Sequence, residues 1–287
     1  MIVDKSKYHK NCYKNHIQPK CNICKKPIEG LYNIDGEKKY HKNCYENFML
    51  PKCAICTQII KTTYVIDKWD NKYHNYHSNK LPKCESCNRL ICKTITNGGY
   101  NIGKSRNICN LCKPFSVKSK KTVYKLAREV KKELKNVGFR NLPSNIPITL
   151  INDRKKLKKL SKIRHINLSG YTHYEYETIN GKITNEDYHI YILSYLHEIE
   201  FKSVLAHEFL HVFLFQNKYK LSPEYREGFC NLGSQLIYEN DKSKIAKHKL
   251  ESMHNNPDPI YGKGFKKMNI VLKQNGWTEL LRDLSKF

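Results

Sequence analysis

The residues with the clearest chemistry are His207, Glu208 and His211, which interrupt an otherwise almost wholly apolar stretch from Val204 to Phe215. On a helix, two histidines four residues apart lie on one face, about 6 Å apart along the axis, which suits two imidazoles that share one metal ion. Burying two imidazoles and a carboxylate without partners would cost several kcal/mol, which argues against ordinary core residues. The pattern therefore predicts a zinc site on a buried helix, with Glu208 as the base beside it.

A helix after this stretch carries a candidate third ligand. Ser222 is a favoured N-cap residue and Pro223 a favoured first helical residue, so a helix is predicted to begin there. Glu227 follows His211 by 16 positions, and we predict that it is the third zinc ligand. Glu224, on a neighbouring face, is the alternative. A glutamate in the first helical turn is also explained by the helix dipole.

Further residues complete the candidate site. Gly228, Cys230 and Ser234 are small, which favours a close approach of the two helices, and Cys230 is interpreted as a packed apolar thiol rather than a nucleophile. In the tail, the stretch HNNPDPIYGKGF contains His254 and Tyr261. These two residues are explained either by simple packing or by projection towards the metal, where they would stabilise an oxyanion.

A repeat of 31 to 33 residues occupies the first 112 positions. The segments QPKCNIC, LPKCAIC and LPKCESC recur, as does YHKNC, which drifts to YHNYH. Eleven of the twelve cysteines lie before residue 113, and in a reducing compartment such C-x2-C pairs are typical of zinc thiolates. We predict three structural zinc sites with closed shells that depend on metal to fold. Their ligands are Cys21, Cys24, His41 and Cys44; Cys53, Cys56, His74 and His77; and Cys84, Cys87, Cys109 and Cys112.

One half-site stands outside these sets. His9 and Cys12 match the second half of a repeat whose C-x2-C half is absent. Three explanations remain open: the half-site is a relic, it is a sign of a longer natural protein, or it pairs with another chain. Cys92 and His16 fall outside the pattern and are interpreted as bystanders.

The elements that must position the histidines lie after the repeats. The stretch from Thr122 to Gly138 predicts an amphipathic helix that covers a sheet, and Ile146 to Asp153 predicts a strand. The basic run RKKLKKLSKIRH is interpreted as a solvated helix face. Two Tyr-rich alternating runs flank a turn at Asn180-Gly181, and the second run, YHIYILSYL, is predicted to pair with an extended substrate by strand addition.

Composition narrows the class of protein. We predict an α+β fold with small zinc-stabilised modules in residues 1–113 and an HExxH domain in residues 114–287. The net charge of +26 can attract nucleic acid, but no aromatic-plus-basic motif for single strands stands out, so nucleic acid is not expected as a partner. The absence of a long apolar run and of an apolar signal core predicts a cytoplasmic protein without a membrane partner.

Several segments of the sequence resemble those of a known protein family. The segments AHEFLHVFL, LSPEYREGFC and DPIYGKGF occur in the order found in the LIM-domain peptidases known from plant growth control. YHKNCYENFMLPKCAIC, the shifted YHNYH element, PKCESC and the closing C-x2-C are similar to the LIM region of that family. The resemblance covers most of residues 9–285 and is weakest between 113 and 165. Plant members also carry ubiquitin-interacting helices and are activated by ubiquitylation, whereas this sequence shows no such segment.

The resemblance implies a zinc endopeptidase of the gluzincin type that hydrolyses protein substrates. His207, His211 and Glu227 would hold one catalytic zinc and Glu208 would be the catalytic base, while about three structural zinc ions stabilise the LIM-type modules. These modules would recognise substrates or a protein regulator. The alternative is a LIM-type adaptor whose peptidase-like domain is inactive.

Overall fold

The computed structural model describes residues 2–3, 6–103, 106–162, 168–180 and 182–287. Helix accounts for 45% and strand for 21%, which confirms the mixed α+β class. The chain divides into two compact units, one formed by Met1–Pro82 with Arg89–Thr96 and the other by Lys83–Asn88 with Asn97–Phe287. The four cysteines predicted as the third zinc site therefore belong to the second unit. The predicted domain boundary after residue 113 stays a prediction.

The first unit is built from short antiparallel hairpins and short helices. Its strands are β1 (Ile2–Val3), β2 (Ser6–Lys7), β3 (Tyr32–Asp35), β4 (Lys38–His41), β5 (Tyr64–Ile66) and β6 (Lys72–His74). Its helices are α1 (Lys10–Cys12), α2 (Lys42–Phe48), α3 (His77–Lys80) and α4 (Lys93–Thr96), with a π-helical segment at Tyr13–Ile17. The strands pair β1 with β2, β3 with β4 and β5 with β6.

The same tight turn closes each C-x2-C pair of the repeat. Lys25, Thr57 and Asn88 each follow the second cysteine of a pair, with φ angles of +61°, +63° and +61°. In each turn the N–H of this residue donates to the carbonyl oxygen of the first cysteine at 2.8 Å. The backbone conformation thus repeats with the sequence, although none of the three residues is the glycine that usually adopts a positive φ.

The β3–β4 and β5–β6 hairpins each lie against only a small core. Ile28 and Tyr40 are buried beside Cys21 in one core, and Ile60 and Tyr73 are buried beside Cys53 in another. Cores of this size bury too little apolar surface to offset the loss of chain entropy, which is why modules of this size generally need a metal or a disulfide.

The second unit contains a three-stranded sheet and the long helices. Its strands are β7 (Gly99–Ile102), β8 (Arg106–Cys109), β9 (Ile148–Ile151), β10 (Gly170–Ile179) and β11 (Lys182–Leu193). Its helices are α5 (Lys120–Asn136), α6 (Arg154–Ser161), α7 (Glu198–Gln216), α8 (Pro223–Glu239), α9 (Lys244–His254) and α10 (Tyr261–Arg282), the last kinked at Gly276. Short 3-10 turns lie at Lys113–Phe115 and Leu284–Lys286.

The strand order β10-β11-β9 corrects the expectation for the Tyr-rich strand before α7. That strand, β11, lies in the middle of the sheet, antiparallel to β10 and parallel to β9. Ile190 and Ile192 are fully buried there, so the apolar run reflects a central strand rather than an edge open to substrate. The strands at the two edges of this sheet are β10 and β9.

Helix α7 forms the centre of this unit. Phe201, Leu205 and Phe209 are fully buried on one face of the helix and Leu210 is fully buried on another, as expected for a helix that is apolar on most sides. Helix α5 packs chiefly against α7 and α8 rather than over the sheet as predicted, because α7 already covers the sheet face beside β10 and β11.

The other predicted elements fall where expected. Strand β9 lies within Ile146 to Asp153, and α8 begins at Pro223 with Ser222 as its N-cap. Helix α6 exposes Lys155, Lys156 and Lys159 while burying Leu157, as predicted for a solvated basic face. The predicted turn joins β10 and β11, although its Gly181 lies outside the described residues.

Candidate metal centre and catalytic cavity

Helices α7 and α8 bring three predicted ligand residues together. The Nε2 atoms of His207 and His211 lie 3.1 Å apart, and the Oε2 atom of Glu227 lies 3.3 Å and 3.5 Å from them. Zinc bonds of about 2.0–2.1 Å at tetrahedral angles separate two ligand atoms by about 3.3–3.4 Å. The three atoms therefore have the spacing that one tetrahedral ion requires.

Glu227, and not the alternative Glu224, faces the histidines. Burial alone would raise the pKa of the Glu227 carboxyl, but hydrogen bonds from His207 and His211 hold this pKa well below its ordinary value. The group is thus a carboxylate, as a metal ligand must be. Glu224 instead pairs with Lys267 at 3.0 Å.

Two glycines of α8 allow the close packing that sets this geometry. A Cβ atom at Gly233 would lie 3.0 Å from a side-chain atom of Leu210 and 3.1 Å from the carbonyl oxygen of Ala206, both on α7. Gly228, which was expected to admit α7, admits α10 instead, since its Cβ would lie 2.3 Å from the carbonyl oxygen of Gly264. Ser234 contacts α7 as expected, donating to the carbonyl oxygen of Ser203 at 3.0 Å.

Asn231 orients His207 and was not found from the sequence. Its side-chain N–H donates to the carbonyl oxygen of Tyr261 at 3.0 Å, so its Oδ1 faces the Nδ1 of His207, also at 3.0 Å. The imidazole therefore carries a proton on Nδ1, which leaves Nε2, the atom beside Glu227, as the nitrogen available to a metal. Its position four residues after Glu227, on the same helix face, was the available signal.

The carboxylate of Glu208 is buried and held from β10. The hydroxyl of Thr172 lies 2.7 Å from Oε2 of Glu208 and 3.1 Å from its backbone carbonyl oxygen. A Cβ atom at Gly170 would lie only 2.4 Å from Oε1 of the same carboxylate, so this position requires glycine. Neither β10 residue was predicted as part of the site.

A cavity of about 540 Å³ opens above these groups. Leu168 to Thr172 together with Tyr174 form one wall, and His207, Glu208, His211 and Glu227 form its floor together with neighbours on α7 and α8. Tyr174 stacks on Phe215 with ring centroids 4.7 Å apart, which gives the cavity an aromatic side. Its size and mixed apolar and polar lining suit a short stretch of bound chain.

Tyr261 and His254, the two candidates for stabilising an oxyanion, differ in position. Tyr261, at the start of α10, lines the cavity, and burial raises the pKa of its hydroxyl, which therefore stays protonated and able to donate. His254 is not among the residues that line the cavity, and its ring packs against Phe265 at 5.1 Å. Only Tyr261 is placed to meet a bound substrate.

Cys230 is a fully buried neighbour of the centre. Its Sγ atom lies within 4.8 Å of ring nitrogens of His207 and His211, so the three could also hold an ion. Burial, and then the charges of Glu227 and Glu208, raise the pKa of its thiol well above the ordinary value. Glu227 lies 3.3 Å and 3.5 Å from the imidazole nitrogens and its pKa is held low, so we assign it as the third donor and keep Cys230 as a packed thiol.

No protein-family model and no curated protein matches the chain. Within the described residues, no helix is long and apolar enough to cross a membrane. The function must therefore be argued from the site.

The three predicted cysteine sets all converge. We name them the first cluster (Cys21, Cys24, His41, Cys44), the second cluster (Cys53, Cys56, His74, His77) and the third cluster (Cys84, Cys87, Cys109, Cys112). In each, the ligand atoms lie within 4.8 Å of one another. The sulfurs of Cys87 and Cys109 are 3.7 Å apart, close to the value of about 3.8 Å for two thiolates on one zinc.

The histidines of the first two clusters support metal binding. Nε2 of His41 lies 3.0 Å from the carbonyl oxygen of Pro27, which leaves Nδ1 facing Cys24 at 3.3 Å. Nε2 of His77 is buried without a hydrogen-bond partner among the described residues, as expected for an atom reserved for a metal. Among the described residues, His9, Cys12, His16 and Cys92 belong to no such group.

Proposed function

We propose that the protein is a zinc-dependent endopeptidase of gluzincin type that hydrolyses peptide bonds in protein substrates. The observation that carries the proposal is the triangle of His207, His211 and Glu227 donor atoms, with the Glu208 carboxylate held beside it at the floor of the cavity. A site built only to bind metal has no need for a fourth, buried acidic residue at that position.

The chemistry divides between the metal and the chain. A zinc ion held by the three ligands would polarise the scissile carbonyl and lower the pKa of a water molecule. Glu208 takes a proton from the attacking water and passes it to the amine nitrogen as the C–N bond breaks, while the water oxygen bonds to the carbonyl carbon. Thr172 and Gly170 fix the carboxylate for both transfers, and the Tyr261 hydroxyl donates to the developing oxyanion.

The open edge of β10 is the candidate binding site for an extended substrate. Leu193 N–H donates to the Ser169 carbonyl oxygen, which makes residues 169 and 193 a hydrogen-bonded pair. The antiparallel register then directs the backbone groups of Gly170, Thr172 and Tyr174 away from β11, towards the open edge. An extended substrate can add to this edge and lie across the cavity.

A matched pair of variants tests the edge. Tyr174→Pro removes a backbone N–H from the open edge, whereas Tyr174→Ala removes the side chain and keeps that N–H. We expect cleavage to be reduced further by proline than by alanine, with zinc content unchanged in both. Equal cleavage by the two variants would contradict strand addition.

The test of the function is cleavage of a complex peptide mixture. Peptides from a digested proteome are incubated with the wild type and with Glu208→Gln, and new termini are identified by mass spectrometry. We expect termini that appear with the wild type and are absent with Glu208→Gln, which should keep its zinc. Identical terminus sets from the two proteins would overturn the proposal.

Zinc content tests the centre without a substrate. We expect three structural ions plus one catalytic ion, four per chain, in the wild type and three in a His207→Ala, His211→Ala double variant. Three ions in both proteins would mean that the α7 centre does not hold zinc.

We propose that the first and second clusters belong to LIM-type modules that recognise substrates or a protein regulator. The supporting observation is the exposure of apolar side chains on the first unit, including Leu31, Ile34 and Phe48, which are 95%, 60% and 72% exposed. An adaptor role alone is the second candidate function. It predicts that partner binding survives Glu208→Gln and that the wild type produces no cleavage.

A further inference from the structure

The third cluster carries a charged residue between its first two ligands. Glu85, between Cys84 and Cys87, accepts from Arg106 Nε at 2.6 Å through one carboxylate oxygen and pairs with Arg154 through the other. The side chain of Arg106 is only 4% exposed, and those of Glu85 and Arg154 are each 20% exposed. Arg106 begins the strand that ends at Cys109, so both halves of the cluster contribute to this ion trio.

Arg154 connects the trio to the wall of the cavity. It is the first residue of α6, and its Nη1 donates to the carbonyl oxygen of Leu168 at 2.6 Å and lies 3.5 Å from the hydroxyl of Ser169. Leu168 and Ser169 both line the cavity. One planar guanidinium thus holds Glu85 on one side and the start of the cavity wall on the other, a geometry that lysine cannot reproduce.

The wall that Arg154 holds leads directly to the catalytic base. Gly170 follows Ser169. The Glu208 carboxylate occupies the space that a side chain at this position would need. Thr172, two residues further on, binds the same carboxylate. A small shift of residues 168–170 would therefore move both groups that fix Glu208.

We propose that the metal-bound third cluster positions the cavity wall and, through it, Glu208, with Glu85 and Arg154 as the positioning residues. The third cluster is then part of the catalytic machinery as well as a structural site. The inference rests on the proposed function only for its kinetic readout, since the position of the wall can be measured without a substrate.

Removing metal from one cluster at a time separates this role from a general effect of zinc loss. Cys112→Ser disables the third cluster and Cys24→Ser the first, and each should lower the zinc content by one ion. We expect the amides of residues 168–174 that pair with β11, those of Tyr171 and His173, to exchange at least roughly tenfold faster in Cys112→Ser and at an unchanged rate in Cys24→Ser. Equal exchange of this segment in both variants would overturn the proposal.

Glu85→Gln tests the connection with all metals retained, which guards against misfolding of the cysteine variant. We expect the wild-type zinc content, faster exchange confined to residues 168–174 and their partner Leu193, and unchanged exchange in α9. The control is Glu279→Gln, which breaks an exposed glutamate–arginine pair on α10 and should change none of these. Wild-type exchange in Glu85→Gln would contradict the positioning role.

Kinetics then distinguish positioning from binding. If the wild type cleaves peptides, Glu85→Gln and Arg154→Lys should each lower kcat roughly tenfold to a hundredfold with little change in KM, because the base is displaced while the substrate edge remains. The double variant should be no worse than either single variant. An altered KM with unchanged kcat would count against the inference.

The two proposals fail separately. Faster exchange in residues 168–174 without any cleavage by the wild type would support the coupling and reject the peptidase. Cleavage by the wild type with unaltered exchange and kcat in Glu85→Gln would support the peptidase and reject the coupling.

Discussion

The first two cysteine clusters and the α7 centre bring their potential metal-binding atoms together by different means. In the clusters, the ligands sit on tight turns and short hairpins with small buried cores around Cys21 and Cys53. At the α7 centre, His207 and His211 project from a helix whose other faces are buried among fully inaccessible side chains such as Phe209 and Leu210. The fold therefore sets the geometry at α7, whereas small modules such as the clusters would depend on a bound metal for stability.

The groups that hydrogen-bond to the second ring nitrogen of each histidine also differ between the first cluster and the α7 centre. In the first cluster, His41 is oriented by the backbone carbonyl of Pro27, which is part of the module's own turn. At the α7 centre, His207 is oriented by the side chain of Asn231 on another helix. A single substitution can therefore remove the group that orients His207, whereas the carbonyl that orients His41 belongs to the backbone and cannot be removed by changing a side chain.

Removal of zinc should give the largest difference between the first two clusters and the α7 centre, measured as the loss of amide protection. Apparent zinc-binding free energies of small zinc domains are about 10–16 kcal/mol, which exceeds the stability that the small cores provide. We expect a strong chelator to unfold the β3–β4 and β5–β6 hairpins, with rapid exchange of their amides, while the amides of α7 and α8 remain slow. Protection that persists in the hairpins would contradict the comparison.

Gly170→Ala should inactivate the site without unfolding it. The added methyl would lie 2.4 Å from Oε1 of Glu208 and 2.6 Å from a methyl group of Val204, so the carboxylate must move. We expect cleavage to fall roughly a hundredfold while zinc content is unchanged. Thr178→Ala, at an exposed position on the same strand, is the control and should retain activity. Comparable loss in the two variants would indicate general damage to β10.

Asn231→Ala should weaken the α7 centre and leave the clusters unchanged. Loss of a group that orients a ligating histidine typically lowers metal affinity about 10–100-fold. We expect one of four zinc ions to be extracted at a lower chelator concentration. Asn231→Asp keeps an acceptor for the Nδ1–H of His207 and should retain most of the affinity. The assignment of Asn231 would be wrong if alanine and aspartate behaved alike.

The sequence predicted site residues that lie on helices with a recognisable local pattern and missed the two that reach Glu208 from β10. His207, Glu208 and His211 follow from helical periodicity, and the helix that carries Glu227 follows from its N-cap and proline. Gly170 and Thr172 act on Glu208 across more than thirty positions of sequence, through packing of β10 on α7 that no local pattern encodes.

Local patterns also have more than one tertiary outcome. The apolar run of β11 is compatible with an edge or a central strand, and pairing with β9 decides for the centre. Arg154 begins a run of basic residues in which Lys155, Lys156 and Lys159 are exposed, yet Arg154 turns towards Glu85 and Leu168. Which member of a charged run is used depends on where an acidic partner from another segment lies.

The smallest expected effect is that of Glu224→Gln, which is compared with Glu227→Gln on the same helix, α8. Glu227→Gln removes the ionised oxygen that lies 3.3 Å and 3.5 Å from the histidines, so the α7 centre should lose its zinc. Glu224→Gln breaks only a partly exposed pair with Lys267, and such pairs contribute about 0–1 kcal/mol. We expect Glu224→Gln to keep four zinc ions, wild-type cleavage and a free energy of unfolding within about 1 kcal/mol of the wild type. Loss of one zinc ion in Glu224→Gln, with retention in Glu227→Gln, would reverse the assignment of the third ligand, because the two carboxylates lie one helical turn apart and differ mainly in which neighbour they face.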